Sequence, residues 1–100
     1  MKSKRTKATS ISNSVRWKVY ERDNRCIFCG TTYNITLGHF VSRANSGLGI
    51  EQNLACVCME CHRKLDQSTE RKPMLERFES YLRSKYSEWN KDDLKYRKGE

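Results

Sequence analysis

Four of the five cysteines form two Cys-x-x-Cys pairs, a spacing typical of zinc-binding domains. The pairs are Cys26 with Cys29, and Cys58 with Cys61. A two-residue spacer lets both sulfur atoms of a pair face one ion, so the two pairs can supply four thiolates to a tetrahedral Zn²⁺. The spacing therefore predicts a structural zinc site. Disulfide or redox chemistry at these cysteines is the alternative interpretation.

The fifth cysteine, Cys56, lies two residues before Cys58 on a predicted strand. Its expected role is that of a small buried hydrophobic residue. A fifth metal ligand is the alternative, which the four-coordinate preference of structural zinc disfavours.

The two histidines, His39 and His62, lie between or directly beside the cysteine pairs. An imidazole can take a proton from water at neutral pH, and a divalent ion can stabilise charge that builds on a phosphate. One histidine as base and the other as metal ligand would be a sufficient set for phosphodiester cleavage. The alternatives are ordinary structural histidines or, for His62, a zinc ligand in place of a cysteine or a helix-start residue bonded to the backbone.

Hydrophobic periodicity predicts the elements that would position these residues. The predicted elements are a helix over 14–23, a strand over 33–41, a strand over 53–57, a helix over 58–67 and a helix over 73–85. Two strands followed by a helix make a ββα unit, with zinc joining the knuckle before the first strand to the start of the helix. In this arrangement His39, Asn53 and His62 would converge.

The expected fold is a small α+β domain held together by zinc, with helices flanking the ββα unit. The domain boundaries are a flexible basic arm over 1–13, the zinc and ββα domain over 14–67, a linker and amphipathic helix over 68–88, and a polar tail over 89–100. Trp17 and Tyr20 are expected to pack on the zinc unit. The apolar stripe of the last helix is expected to do the same, with a dimer contact as its alternative role.

Length and charge point to a metal and to a polyanionic partner. A chain of 100 residues buries too little apolar surface to be comfortably stable from its core alone, so a metal or disulfide bonds are expected to stabilise it. Its net charge of +8 and pI near 9.4 favour nucleic acid over a merely solvated surface. The basic segments lack the apolar face of a membrane-surface helix, and neither a secretory signal nor a spanning segment is found, so a reducing cytoplasm is expected.

The motifs together resemble the HNH endonucleases, a ββα-metal nuclease family common in bacteriophages and mobile elements. The resemblance covers about residues 15–64 and is to the subgroup with a four-cysteine zinc site. Its motifs are Arg22-Asp23, Cys26-x-x-Cys29-Gly30, Gly38-His39-Phe40-Val41-Ser42-Arg43, Asn53-Leu54 and Cys58-x-x-Cys61-His62.

The resemblance implies a metal-dependent DNA endonuclease or nickase that leaves 5′-phosphate and 3′-hydroxyl ends. It makes His39 the general base, Asn53 the residue that fixes the loop, and His62 a ligand of a catalytic Mg²⁺, Mn²⁺ or other divalent ion. Arg43 would lie near the scissile phosphate. The implied partner is DNA, with a second copy of the chain or phage packaging proteins as further candidates, in the cytoplasm of a bacterial host.

The chain departs from the family pattern at Gly38, where many members carry an aspartate that is a second metal ligand. A Gly-His-Phe variant also occurs in the family. Without the aspartate, the ion would rely on water, substrate phosphate, or a carboxylate such as Asp66 or Glu51. The alternative functions are a non-catalytic zinc module that binds nucleic acid and a zinc-stabilised protein-interaction domain of a phage assembly.

Overall fold

The structure is a computed structural model and describes residues 3–97. Within this range, helices and one small sheet are joined by loops. The expected small α+β architecture is confirmed. The elements are α1 (Lys4–Thr9), α2 (Asn13–Asp23), β1 (Ile35–His39), β2 (Leu54–Cys58), α3 (Met59–Gln67) and α4 (Arg71–Lys85). Short 3₁₀ turns span Arg43–Asn45, Glu51–Asn53 and Lys91–Leu94. Over these residues, no helix is both long enough and apolar enough to cross a bilayer.

Strands β1 and β2 form an antiparallel pair whose register sets the position of α3. His39 lies opposite Leu54 at one end, and Ile35 lies opposite Cys58 at the other. Because α3 starts at the residue after Cys58, it begins beside the start of β1 and runs across it. Successive side chains of β1 point to opposite faces, so Leu37 and His39 face away from Thr36 and Gly38.

Helix α2 covers one face of the sheet. Its start at Asn13 is capped by Ser12, whose Oγ accepts a hydrogen bond from the Val15 amide at 3.2 Å. Fully buried Val19 packs with residues of both strands. The expectation that Trp17 packs on the zinc unit was wrong, because its side chain is 66% exposed. Two residues before Val19, it lies on the opposite side of the helix.

Helix α4 supplies the largest apolar surface to the core. Met74, Phe78 and Leu82 recur every four residues and are buried against the cysteine-bearing segments, as predicted. The helix starts at Arg71, two residues earlier than expected, since Pro73 is accommodated in the first turn. The linker is therefore confined to residues 68–70.

Most of the segment expected to be a flexible arm over 1–13 is ordered, which corrects that expectation for the described residues from 3 onward. Residues 4–9 form α1, and Ser3 Oγ accepts a hydrogen bond from the Thr6 amide at 3.1 Å. Thr9 is 1% exposed, so the helix packs on the domain in spite of its few apolar residues. Residues 1 and 2 of the expected arm lie outside the described part of the chain.

The stretch over residues 89–97 is packed on the domain, which corrects the expectation of a polar tail beginning at residue 89. Trp89 and Leu94 are buried, and Trp89 Nε1 donates a 2.7 Å hydrogen bond to the Gln52 carbonyl. Lys95 pairs with Gly47 as an isolated bridge. Two apolar side chains in a polar stretch were enough to fix it to the core. Residues 98–100 of that stretch are outside the description.

A buried ion pair joins α2 to β2 and α4. Arg22 donates two hydrogen bonds to the Asp23 carboxylate, at 2.6 and 2.9 Å, and others to the carbonyls of Glu51 and Leu54 and to the Tyr86 hydroxyl. The Asp23 carboxylate also accepts from the Cys56 amide at 2.8 Å and from the Tyr81 hydroxyl. The pair therefore satisfies both charges through three elements of the fold.

We predict that Asp23→Ala lowers the free energy of unfolding by about 3 kcal/mol, because it leaves the buried Arg22 charge without its partner. Urea denaturation followed by circular dichroism measures the change. The matched control is Glu79→Ala, which removes a carboxylate from the exposed 2.8 Å pair with Arg83 and should cost below about 1 kcal/mol. Equal losses in the two variants would contradict a structural role for the buried pair.

Candidate metal centre and histidine pocket

The sulfur atoms of Cys26, Cys29, Cys58 and Cys61 converge on one point. All four lie within 4.8 Å of one another, and the Cys29 and Cys58 Sγ atoms are 3.7 Å apart. Tetrahedral zinc with Zn–S bonds of about 2.3 Å requires sulfur–sulfur distances of about 3.8 Å. The four cysteines could therefore hold a metal ion such as zinc with little movement.

Local backbone geometry brings each pair of sulfurs together. After Cys26 the chain turns tightly, with the Gly30 amide donating to the Cys26 carbonyl at 3.0 Å. Gly30 has a φ of +78°, a conformation that glycine adopts without strain. Cys58 is the N-cap of α3, and its Sγ accepts from the Cys61 amide at 3.4 Å. One pair thus lies in a turn and the other at a helix start.

The environment of the cluster favours ionisation of Cys26. Burial alone would raise its pKa, but backbone hydrogen bonds from Cys58, Cys29 and Phe28 outweigh burial and lower the pKa to about 7. At Cys61, burial and hydrogen bonds with the neighbouring thiols raise the pKa. The cluster therefore offers one readily formed thiolate, and the remaining thiols would lose their protons as a cation binds.

Cys56 is separate from this cluster and is buried, as predicted. It is fully inaccessible, and its Sγ faces the Val19 carbonyl at 3.8 Å. Burial raises the pKa of this thiol to about 12, and the negative charge of Asp23 acts in the same direction. The residue behaves as a small hydrophobic side chain.

We predict that the purified protein carries one Zn²⁺ per chain and that Cys58→Ser loses it and is largely unfolded, because metal binding supplies folding free energy in a domain of this size. Metal content measured by plasma mass spectrometry and the thermal unfolding transition test this. Cys56→Ala, which also removes one thiol, is the control and should keep its zinc. A folded protein without metal would contradict the prediction.

Both histidines line a single open pocket of about 350 Å³ on the other side of α3. Its wall combines residues of β1, the following turn, the α1–α2 connection and α3. These residues are Ile11, Leu37, His39, Ser42, Arg43, His62 and Asp66. The predicted proximity of the two imidazoles is therefore observed in the structure.

His39 lines the pocket, and one of its ring nitrogens is unpaired. Its Nε2 is buried and has no hydrogen-bond partner within residues 3–97. Burial lowers the pKa of His39, and the charges of Arg43 and His62 lower it further, against a hydrogen bond with the Thr9 backbone that raises it. The imidazole is therefore neutral at neutral pH and can accept a proton.

A hydrogen bond with Thr36 fixes the tautomer of His62. Thr36 Oγ1 donates its only proton to the Val57 carbonyl at 2.7 Å, and the same oxygen lies 2.8 Å from His62 Nδ1. The hydroxyl must accept this second bond, so Nδ1 carries a proton. In the neutral ring the lone pair is then on Nε2, which lies 3.7 Å from Asp66 Oδ2. The imidazole ring is thus oriented with Nδ1 towards Thr36 and Nε2 towards Asp66.

Asn53 holds the loop between the strands and does not line the pocket. Its side chain is fully buried. The Oδ1 atom accepts from the Val41 amide at 2.8 Å, and Nδ2 donates to the carbonyls of Val41 and Leu48 at 3.1 and 2.8 Å. All of its polar atoms are thus used to fix the backbone that follows His39.

Of the two candidate carboxylates, only Asp66 lies at the pocket. Glu51 accepts a hydrogen bond from Tyr86 at 3.1 Å and pairs with Lys18 at 3.9 Å.

At Gly38, a Cβ atom would lie 2.5 Å from Val57 Cγ2. An aspartate at position 38 would therefore collide with the core.

Sequence reasoning missed Thr36, although the strand alternation contained the signal. Thr36 shares a face of β1 with Gly38, and that face is the one a following helix must cover. A hydroxyl pointing at α3 was therefore foreseeable. The contact with His62 spans 26 residues of sequence and depends on the register of β1 against β2.

No family model matches this sequence, and a search of curated proteins finds no match either.

Proposed function

We propose that the protein is a metal-dependent DNA endonuclease or nickase in which β1, β2 and α3 are the ββα core of an HNH nuclease. The observation that carries the proposal is the pocket shared by the two histidines. One imidazole there is neutral with a buried, unpaired nitrogen, and the other is held with its lone pair on Nε2. Phosphodiester hydrolysis needs these two states, a proton acceptor and a metal ligand.

His39 is proposed as the general base. Its lowered pKa favours the unprotonated ring under neutral conditions, and its Nε2 has no hydrogen-bond partner within residues 3–97 that would compete with a proton or a water molecule. The base is fixed by the end of β1 and by the backbone that Asn53 holds. This rigidity reduces the entropy lost in aligning water with the phosphate.

His62 and Asp66 are proposed to hold the divalent ion. His62 Nε2 and Asp66 Oδ2 face each other one helical turn apart, and nitrogen and carboxylate oxygen suit Mn²⁺ or, with more water ligands, Mg²⁺. When bound, such an ion supplies positive charge to a phosphate oxygen and to the leaving oxygen. Thr36 keeps the imidazole in the required orientation.

DNA is the proposed substrate because the chain is strongly basic and the pocket is open. Exposed Arg43 lies at the pocket wall, where a guanidinium can bind a phosphate next to the scissile bond. The net charge of +8 supports binding along a phosphate backbone. A structural Zn²⁺ at the four cysteines would hold the hairpin against α3, as the sulfur distances permit.

The second candidate is a zinc-stabilised module that binds nucleic acid without cutting it. Gly38 favours this candidate, because the family's aspartate is absent and the core leaves no room for its return. The two candidates predict the same salt-dependent DNA binding. They differ in whether any divalent ion produces cleavage.

We predict that the protein nicks supercoiled plasmid with Mg²⁺, Mn²⁺ or Ni²⁺ and that His39→Ala lowers the rate by at least about 100-fold, since general base catalysis contributes that much. The rate should rise with pH as His39 loses its proton. Because burial lowers the pKa of His39, the midpoint should lie below its ordinary value of 6.5. Gel electrophoresis of initial rates measures both.

The control for His39→Ala is its zinc content and thermal unfolding, which should match the wild type. Cleavage that persists in the variant would exclude His39 as the base. A wild-type protein that binds DNA and cuts with none of these ions would favour the non-catalytic module.

We predict that Asp66→Asn weakens Mn²⁺ binding to the zinc-loaded protein by about tenfold, because it removes one anionic ligand. Isothermal titration with Mn²⁺ alone, without DNA, measures the affinity. Glu51→Gln removes the same charge away from the pocket and should leave the affinity unchanged. Equal effects of the two substitutions would show that only net charge matters.

A further inference from the structure

Helix α1 and the α1–α2 connection form a wall of the histidine pocket. Ile11 lines the pocket, and Thr9, just before it in the chain, is buried at 1% exposure. The Gly49 amide donates to the Ala8 carbonyl at 2.9 Å, which ties this segment to the loop between the strands. The segment is thus part of the site, although it lies outside the region that resembles the nuclease family.

The fit of this segment against the loop leaves no space for a side chain. A Cβ atom on Gly49 would lie 2.1 Å from the Ser10 carbonyl oxygen. Backbone therefore packs directly on backbone at this point. The loop that follows His39 is held from one side by Asn53 and from the other by the segment after α1.

Arg5 connects α1 to the turn that carries Arg43. Its Nη2 donates to the Arg43 carbonyl at 2.6 Å and is 3.4 Å from the Ala44 carbonyl, and its Nε donates to Ser46 Oγ at 3.0 Å. Three acceptors in one turn are reached by one planar guanidinium. A lysine has one ammonium group and cannot reproduce this fork.

We propose that α1 is a positioning element for the pocket, in which Arg5 fixes the 43–46 turn and so holds Arg43 at the pocket wall near His39. This inference rests on the proposed nuclease function for its effect on catalysis. Arg5 acts through the turn and is not itself a phosphate-binding residue. The neighbouring Lys4 and Lys7 are exposed and make no side-chain hydrogen bond or ion pair in the described chain, so they remain available to phosphates.

The experiment compares Arg5→Lys, Arg5→Ala, Lys4→Ala and Lys7→Ala in the full chain. Arg5→Lys is the decisive variant, because it keeps the charge and removes the fork. The first measurement is amide hydrogen exchange at Ser46 and Gly47, whose amides donate to carbonyls within the turn. The second is the salt dependence of DNA binding, and the third is kcat and KM for plasmid nicking.

A positioning role predicts that both Arg5 variants exchange the Ser46 and Gly47 amides about tenfold faster than the wild type, as local opening becomes easier. Both should also lower kcat by about tenfold with little change in KM, since a displaced group costs rate more than binding. Arg5→Lys should keep the wild-type salt dependence. Lys4→Ala and Lys7→Ala should each reduce the slope of log Kobs for DNA binding against log[salt] by about 0.9 in magnitude. Both should leave amide exchange at Ser46 and Gly47 unchanged.

The proposal would be overturned if Arg5→Lys had the amide exchange and kcat of the wild type while Arg5→Ala had a reduced salt dependence of DNA binding. Arg5 would then be a phosphate contact. Zinc content confirms that each variant is folded. If the wild type does not cut DNA, the proposed nuclease function fails, but the exchange measurement still decides whether Arg5 fixes the turn. Unchanged exchange in both Arg5 variants overturns the inference in either case.

Discussion

The convergence of four sulfur atoms is the constraint on which the rest of the structure depends. It ties the segment before β1 to the junction of β2 and α3, and these two points are about 30 residues apart in sequence. With these two points together and the strands paired, α3 packs across β1. This packing brings Thr36 under His62. The buried Arg22–Asp23 pair holds the far side of the sheet to α2 and α4 in a comparable way.

Elements with a clear local signal were predictable from the sequence. The cysteine spacing predicted the cluster of four cysteines, and the strand and helix periodicities predicted β1, β2, α3 and α4 to within two residues at every end. The histidine pocket followed from these elements, because a hairpin followed by a crossing helix brings the end of the first strand near the helix. Local sequence pattern was sufficient for the features that depend only on the order and spacing of residues along the chain.

Other features depend on contacts that no local pattern reveals. Helix α1 has almost no apolar face, and it is ordered by backbone contacts with a loop about 40 residues away, such as the bond from Gly49 to Ala8. Trp89 and Leu94 are isolated apolar residues in a polar stretch, so composition indicated a tail. The expectation for Trp17 was wrong in the opposite direction, because a large aromatic residue can remain exposed at the surface. In each case tertiary packing determined the outcome.

The contact at Gly38 restricts which mutational paths are open to this protein. A side chain at position 38 would be directed at Val57, which is fully buried. Gly38→Asp alone would therefore overpack the core and place a carboxylate among apolar groups. An acidic side chain at position 38 would require a smaller residue at position 57. Substitutions at the two positions are therefore expected to be non-additive, with Gly38→Asp tolerated better once Val57 has been replaced by a smaller residue.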